Sequence, residues 1–238
     1  MVAFKSFYER IAPEYERVNR AVTLGLDRFW RRRAVRHITR SSIEIWLDMC
    51  TGTGETAIEV AGRSDTARVV LAADFSPAML KRFIRKKIPA TVRIFAADCS
   101  ELPIRDNALD GISITFAVRN LNQSPGGLAR FFLECNRVIR PGGCLALLET
   151  SQPESRLIRF LFHLFVRLTV VPISRLFSSE TSPYQYLASS ILGFHDAADL
   201  SRILERTGFS EIDVVRYTWG VVALHLARKK IVPIQLPE

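Results

Sequence analysis

The chain is short of cysteine, short of acids relative to bases, and without an unbroken apolar run of membrane length. Its four cysteines, Cys50, Cys99, Cys135 and Cys144, form no CxxC pair or other metal-ligand spacing. That excludes a thiolate zinc centre and a disulfide framework, and the scatter suits a reducing cytosol. Acidic residues number 24 against 33 lysines and arginines, a formal net charge of +9. Such a surplus favours an anionic partner, either nucleic acid or an anionic membrane, over a merely soluble basic surface. A bilayer span needs about 20 apolar residues with few charges. The most apolar stretch, residues 155–177, is interrupted by Arg159, His163, Arg167 and Pro172, so no span is expected. Glu9, Glu14 and Glu16 likewise break any apolar run of signal-peptide type, and a cytoplasmic location is expected.

What is present is organised around "LDMCTGTGETA", Leu47 to Ala57. An apolar run ends in Asp48, a turn of small residues follows (Thr51, Gly52, Thr53, Gly54), and a helical pattern begins at Glu55. Glycine lets a ligand approach bare backbone, and the amides opening the next helix point at it. A second apolar run ends in Asp74 and a third in Asp98. Three successive strands ending in acids mark the edge where open α/β sheets bind ligands. By spelling alone the turn also fits the dinucleotide pattern, through Gly52, Gly54 and Ala57 with Asp74 as the ribose acid, or an ordinary strand-to-helix turn.

Strands are predicted near 43–48, 68–73, 91–96, 110–116 and 143–149, and helices near 53–63, 76–87, 125–138 and 196–207. This alternation means a mostly parallel sheet with helices on both faces. Phe209 to Lys229 reads as two further strands joined near Thr218-Trp219-Gly220. Residues 4–40 read as helices, with Phe4, Phe7, Tyr8, Ile11 and Tyr15 at helical spacing and a break at Pro13. Asp27 is a candidate cap for the helix that carries Phe29, Trp30, Ala34 and Val35 on one side and the basic cluster Arg31, Arg32 and Arg33 on the other. In 155–177, Arg159, His163 and Arg167 share one helix face. Two readings stand: a core helix with a solvated polar stripe, or a lid able to lie in a membrane interface. The length suits one domain: residues 1–230, with a helical cap over 1–40, a lid or substrate segment over 155–190, and a tail over 231–238.

The turn resembles motif I of class I S-adenosylmethionine (SAM)-dependent methyltransferases, and Pro141-Gly142-Gly143 before the fifth strand is foreign to a dinucleotide domain. "DFSPAML", "AADCSELPIRDNALDGISITFAVRNL", "RVIRPGGCLALLETSQP", "SPYQYLASSI", "LERTGF" and "GVVALH" extend the likeness to about Lys229. Phe7, Ile11-Ala12, Tyr15, Asn19 and Trp30-Arg31 sharpen it. Together they resemble the family that C-methylates the ring in menaquinone and ubiquinone synthesis. This chain departs from that family at Ser178-Ser179-Glu180, at Ala117-Val118 before Arg119-Asn120, and at Asp98-Cys99.

The resemblance implies a seven-stranded, Rossmann-like α/β sheet with an antiparallel C-terminal hairpin, and SAM as cofactor. Asp48, Gly52, Thr53 and Gly54 would hold its methionine part, Asp74 and Phe75 its ribose, Asp98 and Cys99 its adenine, and Thr115 the floor. Acids suit a ligand bearing a sulfonium and an ammonium; there is no phosphate, and no lysine follows Gly54. Arg119 would stabilise a ring phenolate and Asn120 would orient a water. Phe116, Tyr184 and Tyr186 would line a quinol pocket, and Tyr8 and Tyr15 would close over the cofactor. The implied activity is transfer of a methyl group to a prenylated quinol, demethylmenaquinol or else a benzoquinol of ubiquinone synthesis, at the inner face of a membrane. A homodimer is left open. A non-catalytic homologue that binds quinone or protein is a rival reading. An RNA methyltransferase is disfavoured: no RNA-binding appendage is recognisable, and Thr115-Phe116-Ala117-Val118 stands where nitrogen methyltransferases carry an Asn/Asp-Pro-Pro-aromatic tetrad. No nucleic-acid partner is therefore expected. His225, alone in a strand, reads as a core residue.

Overall fold

A computed structural model describes residues 14–40, 43–121, 126–176 and 182–231. Phe4, Phe7, Tyr8, Ile11, Pro13 and Ser178-Ser179-Glu180 lie outside them. The elements run α1 (Tyr15–Val22), α2 (Leu26–Ile38), β1 (Ile45–Met49), α3 (Glu55–Arg63), β2 (Val69–Asp74), α4 (Pro77–Phe83), β3 (Val92–Ala96), β4 (Leu109–Thr115), α5 (Gly127–Val138), β5 (Ile139–Thr150), α6 (Arg156–Arg175), α7 (Ser182–Leu192), α8 (Ala197–Arg206), β6 (Phe209–Tyr217) and β7 (Val222–Lys229). The strands form one sheet in the order β3-β2-β1-β4-β5-β7-β6. β1 to β5 are parallel; β7 runs antiparallel to both β5 and β6. Strand order reverses between β1 and β4, so the carboxyl ends of β1, β2 and β4 converge at the switch point where such sheets bind ligands.

Alternation along the strands sends side chains to two cores. Leu47, Met49, Ile112, Ile114, Leu145 and Leu147 pack against Phe131, Phe132 and Leu204 of α5 and α8. Trp46, Val70, Ala72, Leu148 and Leu224 pack against Trp30, Val35, Val60 and Phe83 of α2, α3 and α4. A smaller third cluster joins Val18 and Val22 of α1, Val166 and Val170 of α6, and Tyr184 and Ile191 of α7. That cluster builds a roof over the switch point.

Four details depart from the sequence expectation. β5 starts at Ile139 rather than near 143, and Pro141-Gly142-Gly143 lies inside it, where the pairing with β4 shifts register between Leu109 and Gly111; such a bulge is a position where a strand tolerates proline. α4 stops at Phe83. Asp27 is not the cap of α2: Gly25, at φ +78°, holds that position and Asp27 lies in the first turn. Finally, α6 is not a core helix. Two members of its polar stripe bond inward, Arg159 Nε donating to the Pro153 carbonyl (2.8 Å) and His163 Nε2 to Gln152 Oε1 (2.7 Å), while the third, Arg167, is exposed. Its apolar side, with Leu157, Phe160, Leu164 and Leu168, faces outward. Among the described residues it is the one helix long and apolar enough, by length and composition, to cross a membrane, and 17% of that apolar window is buried. Of the polar residues expected to rule that out, Arg159 and His163 bond inward, while Arg167 stays exposed.

Candidate functional site

The glycine turn is braced from below. Trp46 Nε1 donates to Ser113 Oγ (3.1 Å), Ser113 donates to Asp48 Oδ1 (2.7 Å), and Asp48 Oδ2 accepts from Thr51 Oγ1 (2.6 Å) and the Ala57 amide (3.2 Å). Asp48 is buried, and burial pushes its carboxyl up to about 6 despite those donors. It therefore positions the turn rather than facing a ligand, which corrects its expected contact role. Gly54, at φ +80°, faces the Phe83 ring: an added Cβ would sit 2.2 Å from it. Gly52, at φ +58°, has open space where a Cβ would project. Of the two, Gly52 has its open side free of neighbours and Gly54 packs on the Phe83 ring of α4.

Above the turn lies a cavity of about 70 Å³ lined by Tyr15, Gly52, Asp74, Phe75, Thr115 and Asn120, among others. Asp74 Oδ2 accepts from the Gly52 amide (2.8 Å) and Oδ1 from the Ser76 amide (2.9 Å), and burial raises its carboxyl. Thr53 turns away from this cavity toward Glu16. Burial raises the Glu16 carboxyl, but hydrogen bonds from Lys86 and Thr53 outweigh it and hold the group below the usual range; Lys86 Nζ lies 2.7 Å from Glu16. α1 thus closes over the cavity, which accounts for a volume well under the ~300 Å³ at which typical ligand clefts begin. Asp98 and Cys99 do not line it. Asp98 Oδ1 accepts from the amide and hydroxyl of Ser100 (2.8 and 2.7 Å), and Cys99 turns into the core. Hydrogen bonding to Cys99 and burial hold the Cys50 thiol well up, so it is no nucleophile at neutral pH.

β4 ends at Thr115, and Phe116 adopts φ +55°, an uncommon conformation for a bulky side chain. Its ring stands between the small cavity and a second cavity of about 560 Å³. Apolar residues of α1, α2, α6 and α7 supply most of that second wall: Val22, Trp30, Phe162, Phe165, Val166 and Ile191. Asn120 lines the small cavity and Arg119 the large one. The Arg119 charge, expected to face the acceptor, is matched inside the wall instead. Its Nη1 lies 2.6 Å from Glu149 Oε1, the two side chains are 8% and 1% exposed, and Glu149 Oε1 also accepts from Thr150 N (2.8 Å). Tyr184 packs in the roof cluster. Neither Tyr184 nor Tyr186 is among the described residues lining the large cavity, although Leu187 and Ile191 of the same helix are.

The sequence reading missed Arg31. Instead of joining Arg32 and Arg33 on a basic face, it runs inward. Its Nη1 donates to Thr56 Oγ1 (3.1 Å) and Thr115 Oγ1 (2.5 Å), Nε lies 3.5 Å from Glu55, and the guanidinium sits 5.1 Å from the Phe116 ring centre. It lines the large cavity together with Asp27. Asp27 and Arg31 are four residues apart, a spacing that places both on one helix face; that spacing was visible in the sequence, but its direction was not. Glu149 was missed too, though it is an acid at a strand's carboxyl end like Asp48 and Asp74. His225 is a buried strand residue bonded to the Ala197 carbonyl (2.9 Å).

A model of the ubiE/COQ5 methyltransferase family matches residues 3–229. A demethylmenaquinone methyltransferase of Lactiplantibacillus plantarum is 30% identical over 230 residues, 95% of each chain. A ubiquinone/menaquinone biosynthesis C-methyltransferase of Syntrophotalea carbinolica is 34% identical over 223 residues, 93% of this chain and 92% of its own. In fold, a SAM-dependent methyltransferase of Thermotoga maritima superposes with a TM-score of 0.65 at 16% identity, covering 94% of this chain and 99% of its own. A phosphoethanolamine N-methyltransferase of Haemonchus contortus in complex with SAM gives 0.61 at 14% identity, covering 84% and 52%. The small cavity suits that cofactor. The space at Gly52 is one a Cβ would fill, Asp74 offers a carboxylate to hydroxyls, Phe75 and Met79 offer apolar faces, and no lysine or arginine lines it among the described residues.

Proposed function

This chain belongs to the ubiE/COQ5 methyltransferase family and is a SAM-dependent C-methyltransferase, and we propose that its acceptor is the ring of a prenylated quinol, a demethylmenaquinol. One observation carries the proposal: an apolar cavity of about 560 Å³ meets the cofactor cradle at a single aromatic wall, Phe116. Bound SAM supplies a methyl group on a sulfonium. The chain's own part is to hold the two reactants in line and keep water out. The large cavity is sized for a fused ring with the start of an isoprenoid tail. Trp30 and Phe116, with ring centres 6.1 Å apart, offer it aromatic faces. A phenol ionises near 10, so a ring carbon becomes nucleophilic at neutral pH only where the oxygen beside it can shed a proton in a polarised site. Arg31 supplies positive charge at that end of the cavity.

The tail needs an exit, and the rim supports a membrane-facing one. Leu24, Leu26, Leu161, Phe165 and Trp219 both line the cavity and are exposed. The outer side of α6 continues that apolar surface, while Arg28 and Arg32 stand exposed on α2 beside Phe29. We infer that this face rests on an anionic bilayer with α6 in its interface; the protein is then cytoplasmic and peripheral.

The test is single-turnover transfer from labelled SAM to reduced demethylmenaquinol in detergent, with a benzoquinol precursor and total RNA alongside. Label in the naphthoquinol is expected. Label only in the benzoquinol moves the acceptor to ubiquinone synthesis. No labelled quinol, with SAM binding intact, refutes the quinol reading.

A further inference from the structure

We propose that Asp27 is the proton acceptor for the acceptor's ring hydroxyl, and that Arg31, one helical turn later, holds the oxygen once it is charged. The proposal rests on the quinol reading above. Three charged side chains line the large cavity among its described residues: Asp27, Arg31 and Arg119. Arg119 is matched by Glu149 at 2.6 Å, inside the wall. Asp27 is 7% exposed, and Thr23 Oγ1 donates to its Oδ1 at 3.1 Å. The carboxylate borders the apolar cavity, within reach of a hydroxyl that enters it. Arg31 Nε is buried with no hydrogen-bond partner. Its other contacts are Glu55, 3.5 Å from Nε, the hydroxyls of Thr56 and Thr115, and the Phe116 ring. The guanidinium therefore spans the junction of the two cavities, where the reacting oxygen must sit.

The step balances. The hydroxyl O–H breaks and its proton passes to the Asp27 carboxylate. The ring carbon forms its bond to the methyl group as the sulfur–methyl bond breaks, and that electron pair stays on sulfur. The ring carbon then releases its hydrogen as a proton to water, and Asp27 returns its own proton to the oxygen. The net release is one proton, to solvent.

The experiment compares wild type, Asp27→Asn and Asp27→Glu. It measures single-turnover methyl transfer between pH 6 and 10, and quinol affinity from quenching of Trp30, which lines the cavity. Asp27→Asn keeps an oxygen for Thr23. It is expected to bind quinol and SAM as wild type does and to lose at least about 100-fold in rate at pH 7, within the ~10²–10⁴ range of general base catalysis. Its rate should then climb with pH toward the phenol's own ionisation. Asp27→Glu should recover part of the rate and the wild-type profile. An Asp27→Asn protein that methylates at the wild-type rate with the wild-type profile overturns the proposal. So does a loss confined to quinol affinity, since that would make Asp27 a packing residue. If Asp27→Asn does not fold, Asp27→Glu decides alone: a wild-type profile with a reduced rate supports the proposal, and an unchanged rate at every pH overturns it. Wild-type protein that binds SAM but methylates no quinol refutes the acceptor reading itself, before any variant is compared.

Discussion

Replacing Arg119 with methionine should destabilise this protein far more than a surface arginine would, and neutralising Glu149 as well should restore most of the loss. The pair bridges the turn after β4 to the end of β5, at 2.6 Å with side-chain exposures of 8% and 1%. Removing one partner of such a buried pair leaves an uncompensated charge, at about 3–5 kcal/mol. The Arg119 amide and the Thr150 amide and hydroxyl still point at Glu149, which favours the lower half of that range in Arg119→Met. Urea slopes for small domains are about 1–3 kcal/mol/M. Taking about 2, a loss of about 3 kcal/mol moves the unfolding midpoint down by roughly 1.5 M. Glu149→Gln should fall similarly, since it strands the guanidinium. The double variant Arg119→Met/Glu149→Gln loses both charges, and replacement of buried pairs by neutral groups is often near neutral. It should lie within about 1 kcal/mol of wild type, a coupling of at least about 2 kcal/mol in a double-mutant cycle. Urea unfolding followed by tryptophan fluorescence measures all four proteins. A coupling under about 0.5 kcal/mol would refute the reasoning and return the Arg119 charge to the cavity, where the sequence reading had put it.

Three further outcomes are expected. Gly54→Ala should lose stability by about 1–3 kcal/mol through overpacking on Phe83 while SAM affinity follows folding; Gly52→Ala meets no neighbour but keeps a left-handed φ of +58°, so it should lose about 1–2 kcal/mol and, while folded, lose SAM affinity, read by calorimetric titration. Asp48, with a folded carboxyl near 6 against an ordinary 3.8, binds its proton more tightly folded than unfolded. Its contribution is therefore full below about pH 4 and is lost as pH rises through 6. The loss is about 3 kcal/mol in order of magnitude, since each pH unit between the two values is worth about 1.4 kcal/mol. The wild-type minus Asp48→Asn difference in urea stability should slope downward between about pH 4 and 6, and parallel curves would contradict the assignment. Changing Leu157, Phe160, Leu164 and Leu168 together to glutamine should abolish flotation with anionic liposomes and leave thermal unfolding unchanged; flotation at the wild-type level would sink the membrane face.

The strand-and-turn grammar of this chain is local, and local features were readable. Periodicity located β1 to β4, β6 and β7 to within a residue or two, because an alternating pleat needs apolar residues at fixed intervals. The row of acids at the sheet edge was readable as well, yet its three members do different things. Asp74 lines the small cavity. Asp48 is drawn under the turn by three donors, and Asp98 is occupied by Ser100. Which carboxylate stays available depends on donors that arrive from other elements, and no spacing encodes that. The helical stripe of Arg159, His163 and Arg167 was likewise visible, but its orientation was misjudged: Gln152 and Pro153 satisfy two of the three from inside, so the greasy side is left facing out.

By itself the sequence determined the sheet, the glycine turn after its first strand and the family, because these follow from residue periodicity, turn chemistry and shared spelling along the chain. Only the tertiary structure decided which charges meet. Arg31 and Asp27 come from the second helix, Phe116 from the end of the fourth strand, and Glu149 from the end of the fifth. Their partners lie between 4 and 86 positions away. Whether a charge is neutralised in a wall or left facing a cavity is settled by distances of a few ångströms between segments remote along the chain, and those distances exist only once the sheet has brought the segments together.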